Sequence, residues 1–326
     1  MNGPLALDGW LEFNRLKWGV TPHRLRYAVA ATPGSAYLEI VLYTDRKGRF
    51  YLPNRNPYVA ASFVATARFP ARAGRQWLDC GQQLAAEMAR RGLANGIDLP
   101  PAVTDMRPWR WAQFNVGIKY TLCLDFPYDL SQADKPLRSR VRKLEQQGYR
   151  VERTTDLPLV HQCLVETEAR KGFNHQLSLR DLQMARDLLG DDHFRCYTCF
   201  APDGEAASST IILHRAGGWA LAWVGGTHTR HVPSGAHSYL DAVIVRELQA
   251  DGAAGFDLAG ANIPSVAAAK ANFGARLVPY FTVEGYGVKP LAKWVRGWWR
   301  FMERSRARHA ASETAGEPAE SAPVQR

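Results

Sequence analysis

Between residues 149 and 283 the order of strand-like and helix-like stretches constrains this chain more than any other feature. Tyr149 to Arg153 reads as a strand, and two helices follow, one from an Asp156 cap to Gly172 and one from a Ser178 cap to Gly190. Phe194 to Phe200 and Ala206 to Leu213 read as a hairpin around Pro202-Asp203-Gly204. A turn at Gly217-Gly218 leads into a further strand, Trp219 to Val224, after which Gly225 and Gly226 open a polar loop that closes at Gly235. From Ala236 onward Leu240, Val243, Ile244 and Leu248 recur at helical spacing, and Gly252 stops that helix. A short strand from Gly255 to Leu258, a turn from Ala259 to Asn262, a short helix from Pro264 carrying Lys270 and ended by Gly274, and a strand from Leu277 to Val283 complete the run. The order is β-α-α-β-β-β-α-β-α-β, which is an α/β organisation. It sets a helix N-terminus, at Gly235 and Ala236, beside the end of a strand. Free backbone N–H groups and the helix dipole favour an anionic ligand there.

The preceding residues are less regular. Tyr37 to Tyr43 and Arg49 to Pro53 read as a strand pair, and Gly74 to Arg91 as a helix with Trp77, Leu78, Leu84, Ala85 and Met88 on one face. After Pro100-Pro101, residues 105–126 interleave aromatics with Arg107, Arg110 and Lys119 and end in an alternating strand. Such interleaving suits base stacking, or equally a core edged by cations. Pro127 to Lys135 reads as a linker into a helix with Leu137, Val141 and Leu144 on one face and Arg138, Arg140, Arg142 and Lys143 on the other. That basic face either holds phosphates or is solvated surface. The expected division is 1–128, 129–288, a basic tryptophan-rich helix over 289–309, and a disordered tail over 310–326. The tryptophan-rich helix fits a peripheral membrane contact, an RNA-facing arm, or packing back on the domain.

At 326 residues the chain is long enough for two domains, and its formal net charge of +10 points to anionic partners: nucleic acid, phosphorylated cofactors or a membrane surface. With no signal-like start and no apolar run of about 18 residues, a cytoplasmic protein is expected, with a peripheral position at the inner face of the membrane as the variant that the tail would bring. The cysteines are Cys80, Cys123, Cys163, Cys196 and Cys199; the odd spacing of the last two within a strand sends them to opposite faces, so they read as ordinary buried thiols.

The element order, with a loop-to-helix anion site after its fourth strand, resembles the GNAT acetyltransferase fold. The details resemble the Fem-type aminoacyltransferases and their polysaccharide- and cell-wall-associated acyltransferase relatives, which have two GNAT-like domains. The residues carrying this are Asp105-Met-Arg107-Pro108-Trp109, Tyr120-Thr121, Leu124-Asp125, the basic helix LRSRVRKLEQQGYRVE, GFDLAGAN, and above all Lys270-Ala-Asn-Phe273-Gly274-Ala275. The resemblance implies tandem GNAT-like domains with mixed central sheets. It also implies transfer of an acyl or aminoacyl group from acyl-CoA or aminoacyl-tRNA, as co-substrate rather than permanent cofactor, onto an amine acceptor such as an amino sugar, peptide or lipid precursor. Two departures stand out. Arg230 to Ala236 reads RHVPSGA and keeps only the Gly-Ala end of an acyl-CoA phosphate loop, and Ala269 stands where Fem-type chains often have an aromatic. The first departure favours aminoacyl-tRNA, and with it tRNA as partner.

Acyl transfer to an amine needs orientation of both reactants, a stabilised oxyanion and removal of a proton. Lys270 is the candidate for the oxyanion or a phosphate, His237 for the general base, and Asp257 and Asn262 for a base or an orienting amide; each also reads as a surface or turn residue. Trp223, Gly225, Gly226, Arg230, Ser234, Gly235 and Ala236 are the candidates for the donor side, glycine allowing close backbone approach. Arg107, Trp109, Tyr120 and Phe273 are the candidates for the acceptor side. His228, His231 and His237 share one loop without a carboxylate or cysteine at ligand spacing, so no metal site is expected. The rival reading is a non-catalytic RNA- or membrane-binding protein on the same fold.

Overall fold

The computed structural model describes residues 3–285; the predicted basic helix over 289–309 and the predicted disordered tail lie outside the described residues. The N-terminal half contains helix α1 (Asp8–Trp18) and strands β1 (Thr21–Ala28), β2 (Tyr37–Thr44), β3 (Phe50–Tyr51) and β4 (Ala61–Val64). Helix α2 (Pro70–Arg91), strand β5 (Ile97–Asp98), helix α3 (Arg107–Trp111) and strand β6 (Asn115–Asp125) follow. β1, β3 and β4 all pair antiparallel with β2. On this small sheet lies α2, whose Leu84, Ala85 and Met88 meet Leu38, Ile40 and Leu42 in a core that also holds Trp109.

The C-terminal half runs α4 (Lys135–Gln146), β7 (Arg150–Arg153), α5 (Leu157–Lys171), α6 (Leu179–Leu189), β8 (Phe194–Phe200), β9 (Ala206–Leu213), β10 (Trp219–Thr227), α7 (Ala236–Ala250), β11 (Gly255–Asp257), α8 (Pro264–Ala271) and β12 (Arg276–Glu284). From β7 onward this is the element order expected from the sequence. Its local causes are visible: Asp156 and Ser178 accept backbone N–H groups as helix caps, and Gly172 and Gly190 sit at positive φ where α5 and α6 stop.

Among the described residues the large sheet has the order β5-β12-β6-β11-β10-β9-β8-β7. It is mixed, since β10 and β11 run parallel and the other pairs antiparallel. β6, from before the linker, stands between β11 and β12, so the two halves share one sheet. One face is covered by Leu137, Val141 and Leu144 of α4 with Leu240, Ile244 and Leu248 of α7. The other, at β8 to β10, is covered by Trp10 and Phe13 of α1, Leu157, Val160 and Leu164 of α5, and Leu182 and Ala185 of α6. Cys199 belongs to the first of these cores and Cys196 to the second, as odd spacing in a strand requires, and burial pushes both thiols up to about 12.

One boundary differs from expectation. β10 does not stop at Val224: Gly225, Gly226 and Thr227 continue the ladder opposite Thr210, Ser209 and Ser208. The glycines read as loop formers, but here they permit close approach. A Cβ on Gly226 would lie 2.2 Å from the carbonyl oxygen of Cys163, so α5 rests directly on the strand. Thr167 of α5 completes the contact by bonding both the N–H and the carbonyl of Thr227, at 2.8 and 3.2 Å. Gly226→Ala is therefore expected to cost about 1–3 kcal/mol by forcing α5 off β10. Urea denaturation should show a lowered midpoint with unchanged slope; a wild-type midpoint would exclude this packing.

Candidate active site

β10 and β11 pair only from Trp219↔Gly255 to Leu221↔Asp257 and then diverge. β10 continues along β9 through a bulge at Trp223, while the chain after β11 turns at Ala259, which has φ 55°. Asp257 ends β11 at this fork and is 2 % exposed. Its Oδ1 accepts the hydroxyl of Thr121, on β6, and the N–H of Ala259 at 2.8 Å; its Oδ2 accepts the hydroxyl of Tyr58 at 2.8 Å. Burial raises the carboxyl above its ordinary range, and these donors together with the Lys270 ammonium work against that rise. Burial and the neighbouring carboxylate drive the Tyr58 phenol well above its usual value.

Lys270 enters the same fork from α8. The residue as a whole is half-buried and its ammonium is the enclosed end, donating to the carbonyl of Leu258. Burial lowers its pKa, opposed first by Asp241 on α7 and then by Asp257.

On the α7 side, His237 Nδ1 lies 3.0 Å from Ser208 Oγ, and its Nε2 lies 3.6 Å from Asp241 Oδ2. Gly225 makes room for the ring: a Cβ there would come 3.2 Å from His237 Cε1. Gly235, at φ 79°, is the N-cap of α7, and Arg140 of α4 lies across it. Ser234 Oγ accepts the N–H of Ala236 at 3.2 Å. Arg230 points elsewhere, to Asp203 at 2.6 Å and to Glu205. His228 and His231 also turn away from His237: His228 Nε2 is 2.6 Å from Glu166, and His231 Nε2 is 3.3 Å from Glu205. Among the described residues no three His, Cys, Asp or Glu side chains are arranged to hold a metal ion.

On the other face a cleft of about 340 Å³ opens against Asp257, lined by Tyr58, Pro100, Cys123, Trp219, Arg276 and Val278 among others. Tyr58 is brought here by a buried amide network. Trp10 Nε1 donates to Asn56 Oδ1 at 2.9 Å, and Asn56 Nδ2 to Asn14 Oδ1 at 2.7 Å. Arg55, at φ 65°, donates to the carbonyls of His175 at 2.9 Å and Asn174 at 2.6 Å. Trp223 Nε1 closes the frame on the carbonyl of Arg55 at 3.1 Å.

The structure therefore brings Lys270 and Asp257 to the fork, while His237, Gly225, Ser234, Gly235 and Ala236 gather at the N-terminus of α7. Gly226 meets α5 instead, and Asn262 clips strands together, its side chain bonding the N–H and carbonyl of Tyr120, each at 2.9 Å. Trp223 packs edge-on to Trp10, Phe13 and Phe194. Trp109 is wholly buried with its Nε1 on Met88 Sδ at 3.1 Å, and Phe273 is 1 % exposed in the core. Arg107 is held by Asp105 at 2.7 Å, and the Tyr120 side chain is exposed. Sequence reasoning missed Tyr58, Thr121 and Asp241. Thr121 stood among the residues that carry the resemblance without being given a role, and Asp241 carried a local signal: it is four residues after His237, within the apolar stripe of α7.

Comparison with known proteins fits this geometry. Residues 131–264, which include His237, Asp241 and Asp257, match the model of the acetyltransferase (GNAT) domain family. The chain is similar to FemX, at 14% identity over 89% of this chain and 94% of that one, with a TM-score of 0.61. It is also similar to the C-terminal domain (DUF2156) of a putative lysylphosphatidylglycerol synthetase from Agrobacterium fabrum, at 13% identity over 84% and 87%, with a TM-score of 0.54. A third likeness is to L-PGS from Bacillus licheniformis, at 14% identity over 89% and 95%, with a TM-score of 0.50. At these identities the likeness is one of fold. No curated protein matches the chain in sequence.

His175, which helps hold the Tyr58 loop through its carbonyl, has its pKa lowered by burial and by the nearby Arg55 charge, against a hydrogen bond to Glu168 at 2.9 Å. Between the lowered folded value and the ordinary value of about 6.5, the unfolded chain binds the extra proton, so stability is lost as pH falls through that window. Melting temperature should accordingly fall between about pH 7.5 and about pH 5.5, and fall less in His175→Gln. An equal fall in both proteins would exclude this contribution.

Proposed function

We propose that the protein is an N-acyltransferase or aminoacyltransferase that joins an acyl or aminoacyl group to an amine. The observation that carries this is the Lys270 ammonium enclosed at the β10/β11 fork, with Asp257 and a cleft on one side and the N-terminus of α7 on the other. On this reading the donor lies on the α7 side. Its phosphates face the first N–H groups of α7 and Arg140, and its carbonyl oxygen meets Lys270. The acceptor amine enters the cleft beside Asp257 and Tyr58. The half before the linker, through Tyr58 and Thr121, completes the acceptor wall, and the half after it carries the donor.

The amine nitrogen attacks the carbonyl carbon, and Lys270 donates to the oxygen that gains negative charge. Asp257, whose burial makes it a stronger base than an exposed aspartate, takes the proton that the nitrogen loses. The bond from carbonyl carbon to sulfur in an acyl-CoA, or to the ribose oxygen in an aminoacyl-tRNA, then breaks, and the leaving atom takes up the proton. His237 is placed on the donor side to assist that last transfer. Both donors present phosphate and a carbonyl, and the shortened phosphate loop, with Arg230 already engaged by Asp203 and Glu205, favours the tRNA-borne one.

Lys270→Ala and Asp257→Asn are each expected to reduce kcat/KM by about 10²–10³ with folding retained. Transfer would be followed as thiol release from acyl-CoA and, separately, as loss of label from charged tRNA, each over a panel of amines. Variants with wild-type turnover would refute the assignment. Steeply salt-dependent RNA binding without any transfer would instead favour the binding-protein reading.

A further inference from the structure

Ser208, on β9, is wholly enclosed, and its hydroxyl meets three polar groups: the carbonyl oxygen of Gly226 at 2.8 Å, His237 Nδ1 at 3.0 Å and Thr227 Oγ1 at 3.1 Å. A hydroxyl has one hydrogen to give and two lone pairs with which to receive. The Gly226 oxygen can only accept, and it stands nearest, so the Ser208 hydrogen goes to it. Towards the ring, Ser208 Oγ is then an acceptor, and Nδ1 makes its hydrogen bond only by carrying a hydrogen. The opposite tautomer would set the Nδ1 lone pair against an oxygen lone pair at an enclosed hydroxyl, which is costly. With Nδ1 protonated, Thr227 donates to the second lone pair and each group in the cluster has a partner.

The other ring nitrogen agrees. Nε2 stands 3.6 Å from Asp241 Oδ2, close enough for an ion pair but too far for a hydrogen bond. An Nε2–H aimed at a carboxylate oxygen closes to about 2.7–3.2 Å; two lone pairs facing each other do not close. Gly225 admits the ring to this position, since a Cβ there would lie 3.2 Å from Cε1.

We propose that Ser208 is a positioning residue that holds the neutral His237 ring as its Nδ1–H tautomer, so that Nε2 is the nitrogen through which the ring takes and gives a proton. The part of His237 in transfer rests on the reading given above, but the hold of Ser208 on the ring does not. Ser208, His237 and Asp241 have the outline of a nucleophilic triad, yet here the hydrogen runs from ring to hydroxyl, and the enclosed serine cannot reach a substrate. In transfer, Nε2 takes a proton from water, and the resulting cation has the Asp241 carboxylate 3.6 Å away. The Nε2–H bond breaks as the leaving sulfur or ribose oxygen takes that proton, and the ring returns to its Nδ1–H form. Asp257 releases to water the proton taken from the amine, which closes the balance.

The test uses the full chain labelled with ¹⁵N at the histidine ring nitrogens, the His237 signals being those lost in His237→Gln. Long-range ¹H–¹⁵N correlation spectra tell a protonated ring nitrogen from an unprotonated one, and are read on the alkaline plateau of the His237 titration, where the ring is neutral. Wild type is expected to show Nδ1 protonated and Nε2 unprotonated. Ser208→Ala is expected to exchange the two in the majority species, because an Nε2–H can then donate to Asp241. An Nε2–H majority in wild type, or an unchanged tautomer in Ser208→Ala, would overturn the proposal, and the wild-type spectrum decides even if Ser208→Ala fails to fold. In turnover, Ser208→Ala and His237→Gln should each lower kcat by about 10²-fold, and the double variant by no more than His237→Gln alone. An exchanged tautomer with turnover unmoved in both variants would overturn the part given to His237 in transfer while supporting the hold of Ser208 on the ring.

Discussion

A primary ammonium held away from water needs negative charge close by, and much of this fold follows from meeting that need at Lys270. An unpaired buried charge costs several kcal/mol, a large share of the roughly 5–15 kcal/mol that holds a domain together. Asp241 on α7 and Asp257 at the end of β11 both favour its charged form against the effect of burial. Asp257 in turn is held by Thr121 from β6 and by Tyr58 from the loop before β4. The N-terminal half is therefore tied to the fork electrostatically as well as through the core.

The sheet itself prepares the opening. Parallel pairing of β10 with β11 ends at Asp257, and the bulge at Trp223 lets β10 follow β9 instead. The separation exposes the carbonyl of Leu258 to a donor, and the lysine supplies it. The divergence that would leave backbone groups unpaired in an ordinary sheet is what admits a side chain, and on the proposed reading a substrate carbonyl, between two strands.

Most elements after residue 149 were legible because their ends are written locally: Asp156 and Ser178 as caps, Gly172, Gly190 and Gly252 as stops, Pro202-Asp203-Gly204 as a turn. The earlier ones were not. β1 alternates half-exposed and exposed residues and includes Arg24 and Arg26, while β5 is two residues long and exists through its pairing with β12. Lys270, Asp257 and His237 could be singled out as candidates because Asp257 closes β11, Lys270 lies in the last turn of α8 and His237 in the first turn of α7. Tyr58 could not, since nothing within its own loop signals a carboxylate 199 residues further on. Trp223 was expected on the donor side because it stands beside Gly225 and Gly226 at the expected end of β10. A bulge at this point accompanies the turning of the ring onto Trp10 and Phe13.

The place of β6 in the shared sheet bears on how the molecule is made. A ribosome delivers β6 well before β11 and β12, the strands between which it comes to lie. Until residue 257 has emerged, both edges of an eleven-residue strand lack their final neighbours, and until residue 284 has emerged the edge that β12 covers is still incomplete. Exposed strand edges invite pairing with other chains, and distant pairings form late. Lys119 and the exposed Ile118 and Tyr120 lie on that strand. The nascent protein thus passes through an interval in which a charged gatekeeper, rather than its finished architecture, stands between it and aggregation.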